Sequence, residues 1–158
     1  MFTVYLAGYI HGKKIKKCIE WREKIKNYYK RFNHESHEIC WLDPLNGKEI
    51  GEITPDGLKS NIPGSAFLPR DFMSLSNSDL VIANLETFGQ TRPPIGTISE
   101  IAWCYVLKKP LIVITDEIQY KEHPFIKYNA ALIVPTVEDL LEKNYIGYFY
   151  KGVNNAIH

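Results

Sequence analysis

The chain has almost no excess of charge of either sign. Across 158 residues, 19 Lys and Arg stand against 18 Asp and Glu, a formal net charge of +1. Such a balance creates no long-range field to draw in a nucleic-acid strand or a membrane surface, so neither is expected as a partner. Paired cysteines are missing as well. Cys18, Cys40 and Cys104 lie far apart with no CxxC, and His11, His34, His37, His123 and His158 are scattered. Neither a disulfide framework nor a metal site is therefore expected. Buried free thiols fit a reducing compartment, and the expected location is the cytoplasm. No apolar run approaches the roughly 18–20 residues of a membrane-spanning helix. The first residues read as a strand rather than a leader, since charge follows the apolar run instead of preceding it. Internal repeats and low-complexity tracts are absent too.

What is present is hydrophobic substance: 45% of residues are apolar or aromatic, enough for one domain over residues 1–158 with a sizeable core. FTVYLA (residues 2–7) is a short β-rich run closed by Gly8. KKIKKCIEWREKIKNYYKR (residues 13–31) reads as a helix over 14–32, with an apolar stripe through Ile15, Ile19, Trp21 and Ile25 and a solvated lysine face. Strands are expected at 37–42, 79–85, 110–115 and 130–135, with helices at 69–76, 96–109 and 136–144. Pro69 suits the first turn of its helix, and Thr136 the cap of the last one. The long segment NGKEIGEITPDGLKSNIPGS between strand two and Pro69 reads as a loop, of a length that is usually functional. Alternation of strands and helices gives a βαβ series. The expected fold is an α/β Rossmann- or flavodoxin-like domain, a five-stranded parallel sheet with helices on both faces. Ligands in such sheets sit beyond the carboxyl ends of the strands.

The stretch GTISEIAW (residues 96–103) places one carboxylate, Glu100, on an otherwise apolar helix. Thr97-x-x-Glu100 fits a capping box, which alone would account for both residues. Its position after a loop at the carboxyl end of a strand also suits a reactive carboxylate kept ionised by the helix amino end. Gly96 leaves room for close approach. Asp71 in LPRDF, expected in the first turn of its helix, is a second carboxylate. A pair of carboxylates around one pocket is the arrangement of retaining glycosyl chemistry.

VYLAGYI, RD followed by DLVIANL, GTISEIAWCYVLKKPLIVIT and HPFIKYNAALIVPTVEDLL, in that order and spacing, resemble the nucleoside 2-deoxyribosyltransferase family over roughly residues 3–141. The resemblance implies a cofactor-free exchange of the base of a 2′-deoxynucleoside through a deoxyribosyl ester on the enzyme. Glu100 then matches the nucleophile, Asp71 the acid that protonates the departing base, and Tyr5 a tyrosine that orients the nucleophile. It also implies that Gly8, Tyr9, Ile10, Asp43, Arg92, Gly96 and Thr97 lie along the substrate. Asn129 matches an asparagine that reaches a neighbouring subunit's sugar site, so a homo-oligomer with shared sites is implied, with a free nucleobase as second substrate. Asp43-Pro44 is equally readable as a plain turn. The family often carries Asp or Ser where this chain has Pro94, and base selection is open there.

Three rivals share parts of the pattern. A nucleoside monophosphate hydrolase would hold phosphate near Gly8, Gly12, Lys13 and Lys14, though the arginine and serine usual in that turn are missing. PPIGTISE resembles a phosphoribohydrolase PGGxGTxxE signature with prolines in place of the paired glycines. A catalytically silent nucleotide-sensing module would bind without turnover. The aromatic end YIGYFYKGVNNAIH is expected to pack on a neighbour or over the site.

Overall fold

Alternation of two burial faces along the first strand sets the architecture. The computed structural model describes residues 1–10, 15–31, 39–46, 53–54, 57–58 and 63–150. In it β1 (Phe2–Gly8) is buried from Val4 onward. Val4 and Leu6 join one hydrophobic cluster, while Tyr5 and Ala7 join another across the sheet. Successive residues of a strand point to opposite faces, so one short apolar run supplies two cores. With β2 (Ile39–Leu42), β3 (Ile53–Thr54) and β4 (Gly57–Leu58) between them, β5 (Leu80–Asn84) and β6 (Leu111–Ile114) repeat the pattern. Leu80, Ile82, Ile112 and Ile114 enter the first cluster; Val81, Ala83, Leu111 and Val113 enter the second.

The main sheet has the order β2-β1-β5-β6-β7, with β7 at Leu132–Val134, and every pairing in it is parallel. Counted over those five strands, this is the flavodoxin-like order that the sequence leads one to expect. The register aligns Gly8 with Asn84 and Asn84 with Ile114, so the strands end level with one another. β3 and β4 form a separate antiparallel pair inside the segment read as loop.

Helices α1 (Ile15–Lys30), α6 (Val137–Glu142) and α7 (Tyr145–Phe149) cover the first cluster. Opposite them lie α2 (Gly64–Ser76), α3 (Ile95–Leu107), α4 (Ile118–Lys121) and α5 (Pro124–Lys127). At about 1.5–3 kcal/mol for each fully buried aliphatic side chain, burial outweighs the roughly 1 kcal/mol of a cap. Helix boundaries follow accordingly. α2 starts at Gly64, not Pro69, and Pro69 lies inside it. A proline at this sixth position forgoes the ladder bond to the residue 65 carbonyl and crowds it, a local cost that the helix carries. α3 is bounded by Pro94, with no side-chain cap, and buries Thr97, Glu100, Ile101 and Cys104. That is the i, i+3, i+4, i+7 seam of an amphipathic helix.

The cap expected at Thr136 is present, its hydroxyl oxygen accepting the Asp139 N–H at 3.1 Å. The aromatic C-terminal end packs within its own chain as far as the described residues run: Ile146 and Tyr150 are buried, and Tyr150 lies 5.3 Å from the Phe2 ring. Residues 145–150 therefore belong to the core rather than covering the site, because α7 carries its apolar face back onto the sheet, while residues 151–158 lie outside the described residues.

Candidate active site

Tyr5 points from β1 to the α3 side of the sheet, and Glu100 on α3 faces it. The phenol donates to Glu100 Oε1 at 2.6 Å, a short, charge-assisted bond between two buried groups. Tyr5 is fully buried and Glu100 is 8% exposed, so the carboxylate is withdrawn from bulk water yet still reachable. The phenol is held far above its ordinary value, first by burial and then by the negative charges of Glu100 and Asp71. It stays protonated and keeps donating. Thr97 and Glu100 do not form a capping box: Thr97 is the third residue of α3 and Glu100 the sixth, in the second turn. The carboxylate is placed by the buried seam and by Tyr5, with little help from the helix dipole.

Asp71 is not in a first turn either, because α2 begins seven residues earlier, at Gly64. Its Oδ1 accepts from Arg70 Nε at 3.2 Å and Nη2 at 3.0 Å. Arg70 also donates to the Pro44 carbonyl at 2.5 Å and the Asn46 carbonyl at 3.3 Å, tying α2 to the turn after β2. An edge-to-face contact between Phe72 and Trp103, with centroids 5.2 Å apart, ties α2 to α3. Asp71 is half-buried on this framework, and its charge acts on Tyr5. The structure thus brings Tyr5, Asp71 and Glu100 to one side of the sheet.

A residue missed in the sequence braces the other side of this group. Arg22, read within a solvated lysine face, is fully buried. Its Nη2 donates to the Gly8 carbonyl at 3.0 Å, its Nη1 to the Cys18 carbonyl, and its Nε lies 3.3 Å from Asp43 Oδ1. Burial lowers its pKa, while the charges of Asp43 and Glu100 work in the opposite direction. The guanidinium therefore lies within electrostatic reach of the Glu100 carboxylate. The signal was available in the spacing: Ile15, Cys18, Arg22, Ile25 and Tyr29 form one seam, and all five are buried.

The remaining predicted residues are dispersed. Gly8 ends β1, and a Cβ there would meet Trp21 Cζ2 at 2.6 Å and Arg22 Nη2 at 3.2 Å, so α1 packs only on a bare backbone. Tyr9 is buried against Ile15 and Cys18, and Ile10 is half-buried beside it. Asp43 makes a turn, its Oδ1 accepting the Leu45 N–H at 2.9 Å. The same carboxylate pairs with Arg22 and, at 2.7 Å, with Lys26. Arg92 is exposed on the loop before α3, and a Cβ at Gly96 would meet nothing within 4 Å. Asn129 donates to the Ile101 carbonyl of its own chain at 2.6 Å. It also lines an apolar groove of about 960 Å3 between α3 and α5, where Tyr105, Val106, Phe125 and Tyr128 are exposed. Gly12, Lys13 and Lys14, named for a phosphate, lie outside the described residues. Among the described residues no three His, Cys, Asp or Glu side chains gather as metal ligands, and no helix is long and apolar enough to cross a membrane.

No protein-family model and no curated protein matches the chain. Solved structures do. The 2-deoxyribosyltransferase of Bacillus psychrosaccharolyticus, described as a biocatalyst for nucleoside synthesis, is similar at a TM-score of 0.63. The two share 14% identity over 91% of this chain and 93% of that one. The CMP N-glycosidase of Clostridium botulinum is similar at 0.56, with 15% identity over 91% and 98% of the two chains. At such identities the likeness lies in the fold, and this chain has the fold that a 2-deoxyribosyltransferase and a CMP N-glycosidase share.

Proposed function

We propose that the protein is a nucleoside 2-deoxyribosyltransferase that exchanges the base of 2′-deoxynucleosides with retention. The observation that carries this reading is the buried 2.6 Å bond from Tyr5 to Glu100, on a fold shared with an enzyme of that activity. A glutamate oxygen of Glu100 attacks C1′ while the N-glycosidic bond breaks. The bond pair leaves with the base nitrogen, which takes the proton that Asp71 has picked up from water before the displacement. A second base then loses its N–H proton to Asp71 and attacks C1′, and the ester bond to Glu100 breaks. Tyr5 holds the carboxylate in line for both displacements. No step calls for a cofactor.

The exposed apolar groove beside Asn129 supports a homo-oligomer, since a patch of this kind is seldom left open to water. The shared fold of the CMP N-glycosidase supports a second reading, hydrolysis of a nucleoside monophosphate. One assay separates the two. The protein is incubated with a 2′-deoxynucleoside, or its 5′-monophosphate, with and without a different free base, and the products are resolved by chromatography. A new deoxynucleoside that requires the second base, and a loss of roughly 10³-fold or more with Glu100→Ala, is the expected result. Free base released equally in both mixtures would favour the hydrolase instead.

A further inference from the structure

Across the sheet from Tyr5 and Glu100, a cavity of about 740 Å3 opens at the carboxyl ends of β5, β6 and β7, between α1 and α6. Three of the hydrogen-bonding side chains that line it are more than nine-tenths buried: Asn84 at 3% exposure, Thr115 at 4% and Trp21 at 6%. Each holds a hydrogen-bond donor with no acceptor among the described residues. The Asn84 amide oxygen accepts the Glu86 N–H at 3.0 Å, which assigns the other end of the amide as NH2 and leaves it unpaired. Thr115 accepts the Glu117 N–H at 3.2 Å, and its own hydroxyl hydrogen is unmatched. The Trp21 indole N–H is buried without a partner. A buried donor left unpaired, as the Trp21 nitrogen is, is costly, and native proteins hold few of them.

The rim selects further. Lys17 pairs with Glu20, Lys24 with Glu138 and Asp116 with Lys121, while Glu86 and Glu117 add further negative charge. An anion is repelled at that rim. A cation would pass it, only to face N–H and O–H donors inside. What both zones accept is a neutral molecule with acceptor atoms, and Phe88 and Trp21 offer aromatic surface to a flat one. The volume lies within the usual range of small-molecule pockets.

We infer that this cavity is a second binding site, separate from the Glu100 side of the sheet, for an uncharged, carbonyl-bearing heterocycle such as a free nucleobase or its nucleoside. The donors of Asn84, Thr115 and Trp21 bind its carbonyl and ring-nitrogen acceptors. The choice of nucleobases as probes rests on the proposed activity; the inference of a neutral acceptor ligand does not.

The test uses the full chain carrying Glu100→Ala, so that no turnover intervenes, with 15N label on its three tryptophan indoles and its amides. Trp21→Phe assigns the Trp21 indole resonance. Cytosine, hypoxanthine, 2′-deoxycytidine and deoxycytidine monophosphate are titrated separately. The expected result is a saturable shift of the Trp21 indole and Asn84 amide signals with the free bases, the nucleoside or both, with the monophosphate at least tenfold weaker. Thr115→Val, nearly isosteric, should weaken binding about tenfold even where Asn84→Leu folds poorly. Signals that stay still with every ligand would overturn the inference, as would equal binding of the monophosphate or shifts confined to the surroundings of Tyr5. Because the readout lies across the sheet from Glu100, its failure would leave the exchange assay untouched, and the reverse also holds.

Discussion

Helices α1 and α3 flank the sheet from opposite sides, and each buries one charged residue on an otherwise apolar seam. Arg22 on α1 is sealed completely. Two backbone carbonyls and the Asp43 carboxylate surround its guanidinium. Glu100 on α3 keeps a small exposed remainder and receives the Tyr5 phenol. A charge that no ligand can touch is there to hold backbone in place. A charge that is almost but not wholly buried, with its oxygen oriented by a phenol, suits the nucleophilic role proposed for Glu100. Both seams look alike in sequence, and burial of the last few per cent separates the two roles.

The largest effect that could break this comparison is on stability. Arg22→Met leaves Asp43 buried with only part of its compensation, and the cost of breaking such a pair is about 3–5 kcal/mol. Urea denaturation should show a midpoint well below that of the parent, whereas Glu100→Ala, which takes this acceptor from the Tyr5 phenol, should lower it less. An unchanged midpoint in Arg22→Met would remove the distinction drawn here. Asp71→Asn sharpens the other side: it removes the proposed proton donor while keeping the shape, so kcat should fall on the order of 10²-fold. Should exchange kinetics stay within a factor of two, the acid must be sought elsewhere. The smallest effect belongs to Tyr5→Phe, which deletes one hydrogen bond of about 1.4 kcal/mol and so costs roughly tenfold in kcat with KM little changed. The parent's rate should also show no loss attributable to Tyr5 ionisation up to about pH 10, the ordinary phenol value, because burial and the two carboxylates keep the phenol protonated beyond it. A rate that collapses with a Tyr5-dependent midpoint near pH 9 would contradict that placement.

Much of the architecture was legible because β1, β5 and β6 are apolar on both faces, a pattern that only a covered parallel sheet explains. The start of α2 and the cap of α3 were not. Pro69 carries a first-turn signal and Thr97-x-x-Glu100 a capping signal, yet both lie inside their helices, since local motifs yield to burial of a whole seam. Glu100, Asp71 and Tyr5 could be singled out, but their convergence is a property of strand order and register. Arg22 was hidden by its neighbours, because a lysine-rich stretch disguises one cation that faces inward. The short helices α4 and α5 and the β3–β4 pair are too brief to leave a periodic trace.

Gly8 carries a consequence for how such a protein changes through descent. With Trp21 Cζ2 2.6 Å and Arg22 Nη2 3.2 Å from where its first side-chain atom would stand, nearly every codon change at that position dislodges α1 and its guanidinium together. Variation is thus closed at the end of β1 and open on exposed turns such as the one bearing Arg92. The end of β1 is therefore a fixed point of the backbone, and substitution elsewhere has to leave it bare.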